Sequence, residues 1–192
     1  MGLVTWTSDH RIKYSCHLLP FTETRRSSCN VDGNILQLAA GKLNGSDPFG
    51  GDILNFVQVD PRNENIDLRP VLSSDGGGAA PQRASFAYLN TNTSHLIAFD
   101  PFQQLNTVKA YTESSSGGEI YFTKDSAERT LYYPSFGFDQ QGYLTADGKS
   151  DAFTHCTNGS EPFGSIAIGP VAGKKCESLT YILANHIGEP PY

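Results

Sequence analysis

The chain has 192 residues, a formal net charge of −6 and only 18% charged residues. That balance argues against a nucleic-acid binder, which needs a basic face to neutralise phosphates. With 19 Gly, 11 Pro, 11 Phe and 9 Tyr and few helix-building residues, it also excludes a coiled coil or helical bundle.

The 44 Leu, Ile, Val and Phe residues are enough for a real core, and no apolar run approaches the roughly 20 residues of a membrane helix. The charge is uneven. Residues 1–42 hold five Lys/Arg against three Asp/Glu, a surplus of +2, and residues 43–192 hold nine against seventeen, a surplus of −8. The shift marks a boundary near the start of the chain.

Taken along the chain, segment 1–30 has scattered apolar residues and no turn rhythm, so an irregular, poorly ordered segment is expected there. From residue 31 onward, alternating or short apolar runs recur about every ten residues, the spacing of a sandwich or barrel. Strands are expected at 34–40, 53–59, 65–72, 84–90, 94–99, 106–112, 118–123, 130–138, 142–146, 151–156, 163–168 and 178–186. In 53–59 the two faces are Ile53, Asn55, Val57 and Val59 against Leu54, Phe56 and Gln58, which predicts partial cover on both sides.

The connections carry explicit turn chemistry. Asn90–Thr93 is a short polar turn, Asp139–Gly142 places Gly where φ is positive, and Asp147-Gly148 is a tight-hairpin signal. Ser73–Gly78 and Ser114–Gly118 read as surface loops. Pro70 and Pro134 lack ladder donors, which pushes their strands toward an edge or a bulge. The expected fold is an all-β antiparallel sandwich, with a barrel as the alternative closure, over residues 31–188, followed by a tail at 189–192.

Four cysteines, Cys16, Cys29, Cys156 and Cys176, allow three pairings. The economical one is Cys16–Cys29 with Cys156–Cys176. A zinc site from His10, Cys16, His17 and Cys29 lacks the ligand spacings that let one turn present two donors, so no metal and no cofactor is expected.

Sequons at Asn44, Asn92 and Asn158 all fall in predicted turns, where a glycan is tolerated. Cysteines, sequons and low charge together point to an oxidising, extracellular route. The first twenty residues contain no apolar stretch of a secretory signal peptide. Either the protein is cytosolic or the true start lies elsewhere.

Catalytic motifs are weak. Gly142–Ser150 has five residues between its glycines where a phosphate loop has four. His155 and Cys156 are adjacent, so on a strand they face opposite ways and do not pair as base and nucleophile. His186 could reach the cysteine in the fold, but a bridge to Cys176 explains it more simply. Glu119, Glu128, Asp139 and Asp151 supply carboxylates for glycosidic cleavage, as any acidic β protein does. Asp47–Asp52 and Asp147–Asp151 offer oxygens for calcium without EF-hand spacing and read as turns. Tyr132 and Tyr133 on one strand, with Tyr143 beyond the next turn, are the candidate carbohydrate contacts.

The order Phe138-Asp-Gln-Gln-Gly-Tyr-Leu144, Cys156, Phe163-Gly-Ser-Ile-Ala-Ile168 and Cys176-Glu-Ser-Leu-Thr-Tyr-Ile182 resembles small secreted fungal cell-wall proteins of the PhiA-like type. Pro48–Leu54 and Ala84–Tyr88 fit in order, so the resemblance spans residues 49–186. It implies an extracellular or wall-associated, non-catalytic β protein with Cys156–Cys176 as a structural disulfide. The chain departs from that pattern in lacking a signal peptide, in residues 1–48, and in the unmatched Cys16 and Cys29.

The expectation is therefore a secreted, glycosylated surface or cell-wall protein acting by binding or structure. Its expected partners are wall polysaccharide or a host or surface protein, with no nucleic acid and no membrane. The alternatives are a polysaccharide-acting enzyme or lectin-like domain, and an intracellular protein whose sequons and cysteines are incidental.

Overall fold

The computed structural model describes residues 35–42, 52–59, 67–75, 83–103, 106–124, 130–159, 161 and 163–188. The expected irregular segment 1–30, the tail 189–192, Cys16, Cys29, Asn44 and Glu128 lie outside the described residues. Fourteen strands are described: β1 (Ile35–Lys42), β2 (Asp52–Gln58), β3 (Leu68–Leu72), β4 (Arg83–Ala84), β5 (Phe86–Asn90), β6 (His95–Phe99), β7 (Thr107–Tyr111), β8 (Gly118–Glu119), β9 (Tyr121–Thr123), β10 (Phe136–Phe138), β11 (Leu144–Ala146), β12 (Phe153–Thr157), β13 (Ser165–Ile168) and β14 (Lys175–Gly188). One 3₁₀ turn, Ser150–Ala152, precedes β12. No helix among the described residues is long and apolar enough to cross a membrane.

The fold is all-β and antiparallel, and of the two expected closures it takes the barrel. Seven strands form the ring in the order β2-β3-β9-β7-β6-β5-β1. β1 closes it by meeting β5 at Leu36↔Ala87 and β2 at Ala39↔Ile53 and Ala40↔Asp52. Period-two alternation drives the ring: Leu54 and Phe56 of β2, Leu96 and Ala98 of β6, and Val108 and Ala110 of β7 all join one buried cluster. Burial of each of the larger ones, Leu54, Phe56, Leu96 and Val108, contributes roughly 1.5–3 kcal/mol. On the other face of β2 and the residue after it, exposed Ile53 and Val59 flank buried Val57, so partial cover on both sides is realised.

β14 ties the ring to a second layer. Its residues 175–178 pair with β12 and its residues 179–188 pair with β1. The ladder to β1 slips between Gly41 and Lys42, where β14 changes partner. Beyond β12 come β13 and β8, so the sheet ends in the two-residue strands β4 and β8. Edges this short offer little template for unwanted pairing. Leu144, Ile166 and Ile182 lie outside the ring yet enter the same core cluster. They leave a cavity of only about 20 Å3, bordered by Phe56, Ser85, Phe122 and Ile166. Among the described residues the barrel interior is lined by the apolar side chains of this cluster.

The turns follow their chemistry. Asp147 and Gly148 both have positive φ (49° and 79°), and Lys149 N–H donates to the Ala146 carbonyl at 3.0 Å, the tight hairpin expected there. Gly142 takes φ 79° and bonds back to Asp139. The expected strand 130–138 is cut short, and only β10 survives. Pro134 cannot donate to a ladder, and Tyr132 makes just an isolated bridge to Thr112. Pro70 lies inside β3, whose pairing to β9 is the single pair Leu68↔Phe122. Beyond that pair the strand is open on the β9 side, which is where a missing donor is tolerated.

Candidate functional site

The most concentrated polar chemistry among the described residues lies where the second layer rests on the outer face of β3. Phe163 supplies the apolar contact, packing with Val57 and Val71 in a small cluster separate from the main core. Alternation explains why these residues face outward: Phe56 and Pro70 point into the barrel, so Val57, Arg69 and Val71 point away from it.

Around Phe163 stand four charges. Arg69 donates to Glu161 Oε2 at 2.8 Å, and Lys174 Nζ bridges Glu119 Oε1 at 3.0 Å and Glu161 Oε2 at 3.3 Å. Tyr121 donates its hydroxyl to Glu119 Oε2 at 3.2 Å. Asn158 and Glu161 bond reciprocally, Asn158 Nδ2 to Glu161 Oε1 and Glu161 N–H to Asn158 Oδ1, both at 3.0 Å. Burial alone would raise the Glu119 carboxyl, but the Ser165 hydroxyl, Lys174 and Tyr121 outweigh it and hold it below the usual carboxylate value. Glu161 follows the same balance, with burial opposed by Arg69 and Lys174. The Tyr121 phenol is pushed well up, by burial first and then by the Glu119 carboxylate.

A second polar pair sits nearby. His155 Nε2 lies 2.8 Å from Asp75 Oδ2, and Gly164 N–H donates to the same oxygen at 3.1 Å. Asp75 belongs to the turn after β3, so this oxygen pins β12 and the start of β13 to the barrel. Gly164 is required here. A Cβ at that position would lie 2.0 Å from His155 Nε2.

Chemically the cluster is a clamp. Both carboxylates stay ionised near neutral pH and each faces a cation, so neither has the raised pKa of a proton-donating acid. Among the carboxylates singled out for cleavage, Glu119 is thus an ion-pair partner. Asp139 accepts from the Gln141 and Tyr143 amides of its own turn, and Asp151 is exposed in the 3₁₀ turn. His155 and Cys156 face opposite ways, as alternation requires, since Cys156 is bonded to Cys176. Among the described residues no group of His, Cys, Asp and Glu side chains is arranged to hold a metal. Asp52 is used by Ser73 and Ser74, and Asp147 by the Ser135 amide.

The three candidate carbohydrate contacts are half-buried and pack against different elements. Tyr132 reaches Asp147. Tyr133 lies 5.4 Å from the His95 ring with the Lys109 ammonium 5.5 Å from its centroid. Tyr143 stacks on Tyr181 at 5.0 Å and 14°, and Tyr181 in turn covers Gly41, whose missing side chain makes room for the ring.

Of the sequon residues described, Asn92 is exposed in the β5–β6 turn and Asn158 is half-buried in the clamp. Arg69, Glu161 and Lys174 carry no sequence motif, while Asp75 reads only as part of a surface loop and Ser165 only as part of the run 163–168. No family model matches the chain, and no curated protein or solved structure matches it significantly.

Proposed function

We propose that this protein is a secreted, non-catalytic β-barrel that acts at a cell surface or cell wall by binding or structure. The observation that carries the reading is the Cys156–Cys176 disulfide, which joins directly opposed residues of β12 and β14. Disulfides form and persist in oxidising compartments, and this one reinforces the layer that bears the clamp. The engagement of Glu119 and Glu161 by Lys174 and Arg69 supports a structural role for both carboxylates. The partner we propose is wall polysaccharide, whose apolar sugar face would stack on the faces of Tyr133 and Tyr143 not taken up by Lys109 and Tyr181.

The test is made on protein from its natural source. Non-reducing peptide mapping should recover Cys156 linked to Cys176, from material in the medium or the wall fraction. Free thiols at both positions in a cytosolic fraction overturn the reading. Retention on insoluble wall polysaccharide, reduced in Tyr133→Ala and Tyr143→Ala, is the outcome expected of the binding version; equal retention in the variants removes those rings from it.

A further inference from the structure

The acceptor asparagines of two of the three sequons lie among the described residues, and their surroundings differ in kind. We infer that Asn92 is an N-glycan acceptor and that Asn158, in the same tripeptide context, is a structural residue that carries none in the folded protein. The inference rests on the secretory reading and goes beyond it, by assigning which amide is modified.

Asn92 sits at the tip of the β5–β6 hairpin, flanked by the exposed Thr91 and Thr93. The turn does not need its side chain. Asn90 does that work: its Oδ1 accepts from the Asn92 N–H at 3.1 Å and the Thr93 N–H at 3.3 Å, and its carbonyl also accepts from Thr93 at 3.3 Å. A bulky sugar on Asn92 therefore extends from a loop tip, where neither core nor ladder is disturbed.

Asn158 is used twice by its own fold. Its Nδ2 donates to Glu161 Oε1 while its Oδ1 accepts the Glu161 amide. Glu161 in turn holds Arg69 and Lys174. A glycan on Nδ2 replaces one of its two N–H groups and sets a sugar ring against the carboxylate that closes the clamp. Cys156, two residues upstream, is fully buried and bonded to Cys176, which anchors the chain on the N-terminal side of Asn158.

The co-reactant is a lipid diphosphate-linked oligosaccharide. The Asn92 Nδ2–C1 bond forms, the C1–O bond to the diphosphate breaks with its electron pair, and the amide loses one proton to the transferase's base.

The experiment secretes the full chain from a eukaryotic host behind a heterologous leader, in an Asn44→Gln background that leaves the Asn92 and Asn158 sequons. Folded, disulfide-bonded protein is analysed by glycosidase treatment and glycopeptide mass spectrometry. The expected result is one mobility step on deglycosylation, mapped to Asn92, lost in Asn92→Gln and retained in Asn158→Gln. If Asn158→Gln fails to fold, the peptide map of the parent decides alone. Glycan on Asn158 in folded protein, or none on Asn92, overturns the inference. Because the leader enforces secretion, either result is independent of where the natural protein resides.

Discussion

Gly164 carries more consequence than its size implies. Its missing side chain lets His155 close on Asp75, and its own amide donates to the same carboxylate oxygen. Adding one methyl in Gly164→Ala forces the buried His155 ring to give way. Overpacking of this kind costs roughly 1–3 kcal/mol, expected as a lowered urea midpoint at unchanged slope. The cause is checked by a double-mutant cycle: in a His155→Ala background the same Gly→Ala change should cost measurably less. Full additivity would show that the ring is not what the methyl meets. Gly41 obeys the same logic in β1, where the Tyr181 ring fills the space its side chain would occupy. Gly41→Ala should displace Tyr181 and the Tyr143 ring stacked on it, read as a change in near-ultraviolet circular dichroism and a lowered midpoint.

At the scale of elements, β14 is the strand on which the fold turns, because its two halves pair with different layers. The disulfide fastens the half that pairs with β12 and closes a separation of 20 residues. By loop-closure entropy such a link contributes roughly 3 kcal/mol. The double variant Cys156→Ser, Cys176→Ser should lose about that much stability by urea titration. Amide exchange should rise first in Phe153–Thr157 and Lys175–Ser178, with the barrel strands still protected. Simultaneous loss of protection in β5–β7 would show that the two layers unfold as one unit.

The strands themselves were largely legible in sequence, because alternation and turn chemistry are local: the runs at 53–59, 94–99 and 106–112 lie within a residue or so of β2, β6 and β7. The Asp147-Gly148 hairpin was legible for the same reason. Closure was not, since it depends on β1 finding both β2 and β5, partners with no common local signature. The clamp was hidden for a stronger reason. Arg69 and Glu161 are 92 residues apart, and His155 and Asp75 are 80 apart, so nothing in either neighbourhood announces the other. Glu119 drew notice only as a carboxylate, whereas its environment of Ser165, Tyr121 and Lys174 makes it an ion-pair partner.

For the molecule as a whole, two electrostatic effects act in opposite directions on acidification. The net charge of −6 at pH 7 falls toward zero near the isoelectric point of about 5.3, which relaxes general self-repulsion. The clamp responds lower down. Glu119 and Glu161 are held below the ordinary value of 4.5 in the folded protein, so between their folded values and 4.5 the unfolded chain binds more protons. Stability from these groups is therefore fully present above 4.5 and is lost as pH falls through the folded values. Urea midpoints taken from pH 7 to pH 3 should hold or rise slightly to about 5 and then fall. Comparison with Glu119→Gln and Glu161→Gln removes the general charge effect, which all three proteins share. Both variants should start less stable at pH 7, because Lys174 loses one of its two carboxylates in each and Arg69 loses its partner in Glu161→Gln, and the gap to the wild type should narrow steadily below pH 4.5. Raising the salt concentration should shrink the Glu161 gap more than the Glu119 gap, since Glu161 is 33% exposed and Glu119 only 14% and screening acts on the more solvated pair. A gap that stays constant down to pH 3 would mean that the carboxylates do not hold the second layer to the barrel by their charge.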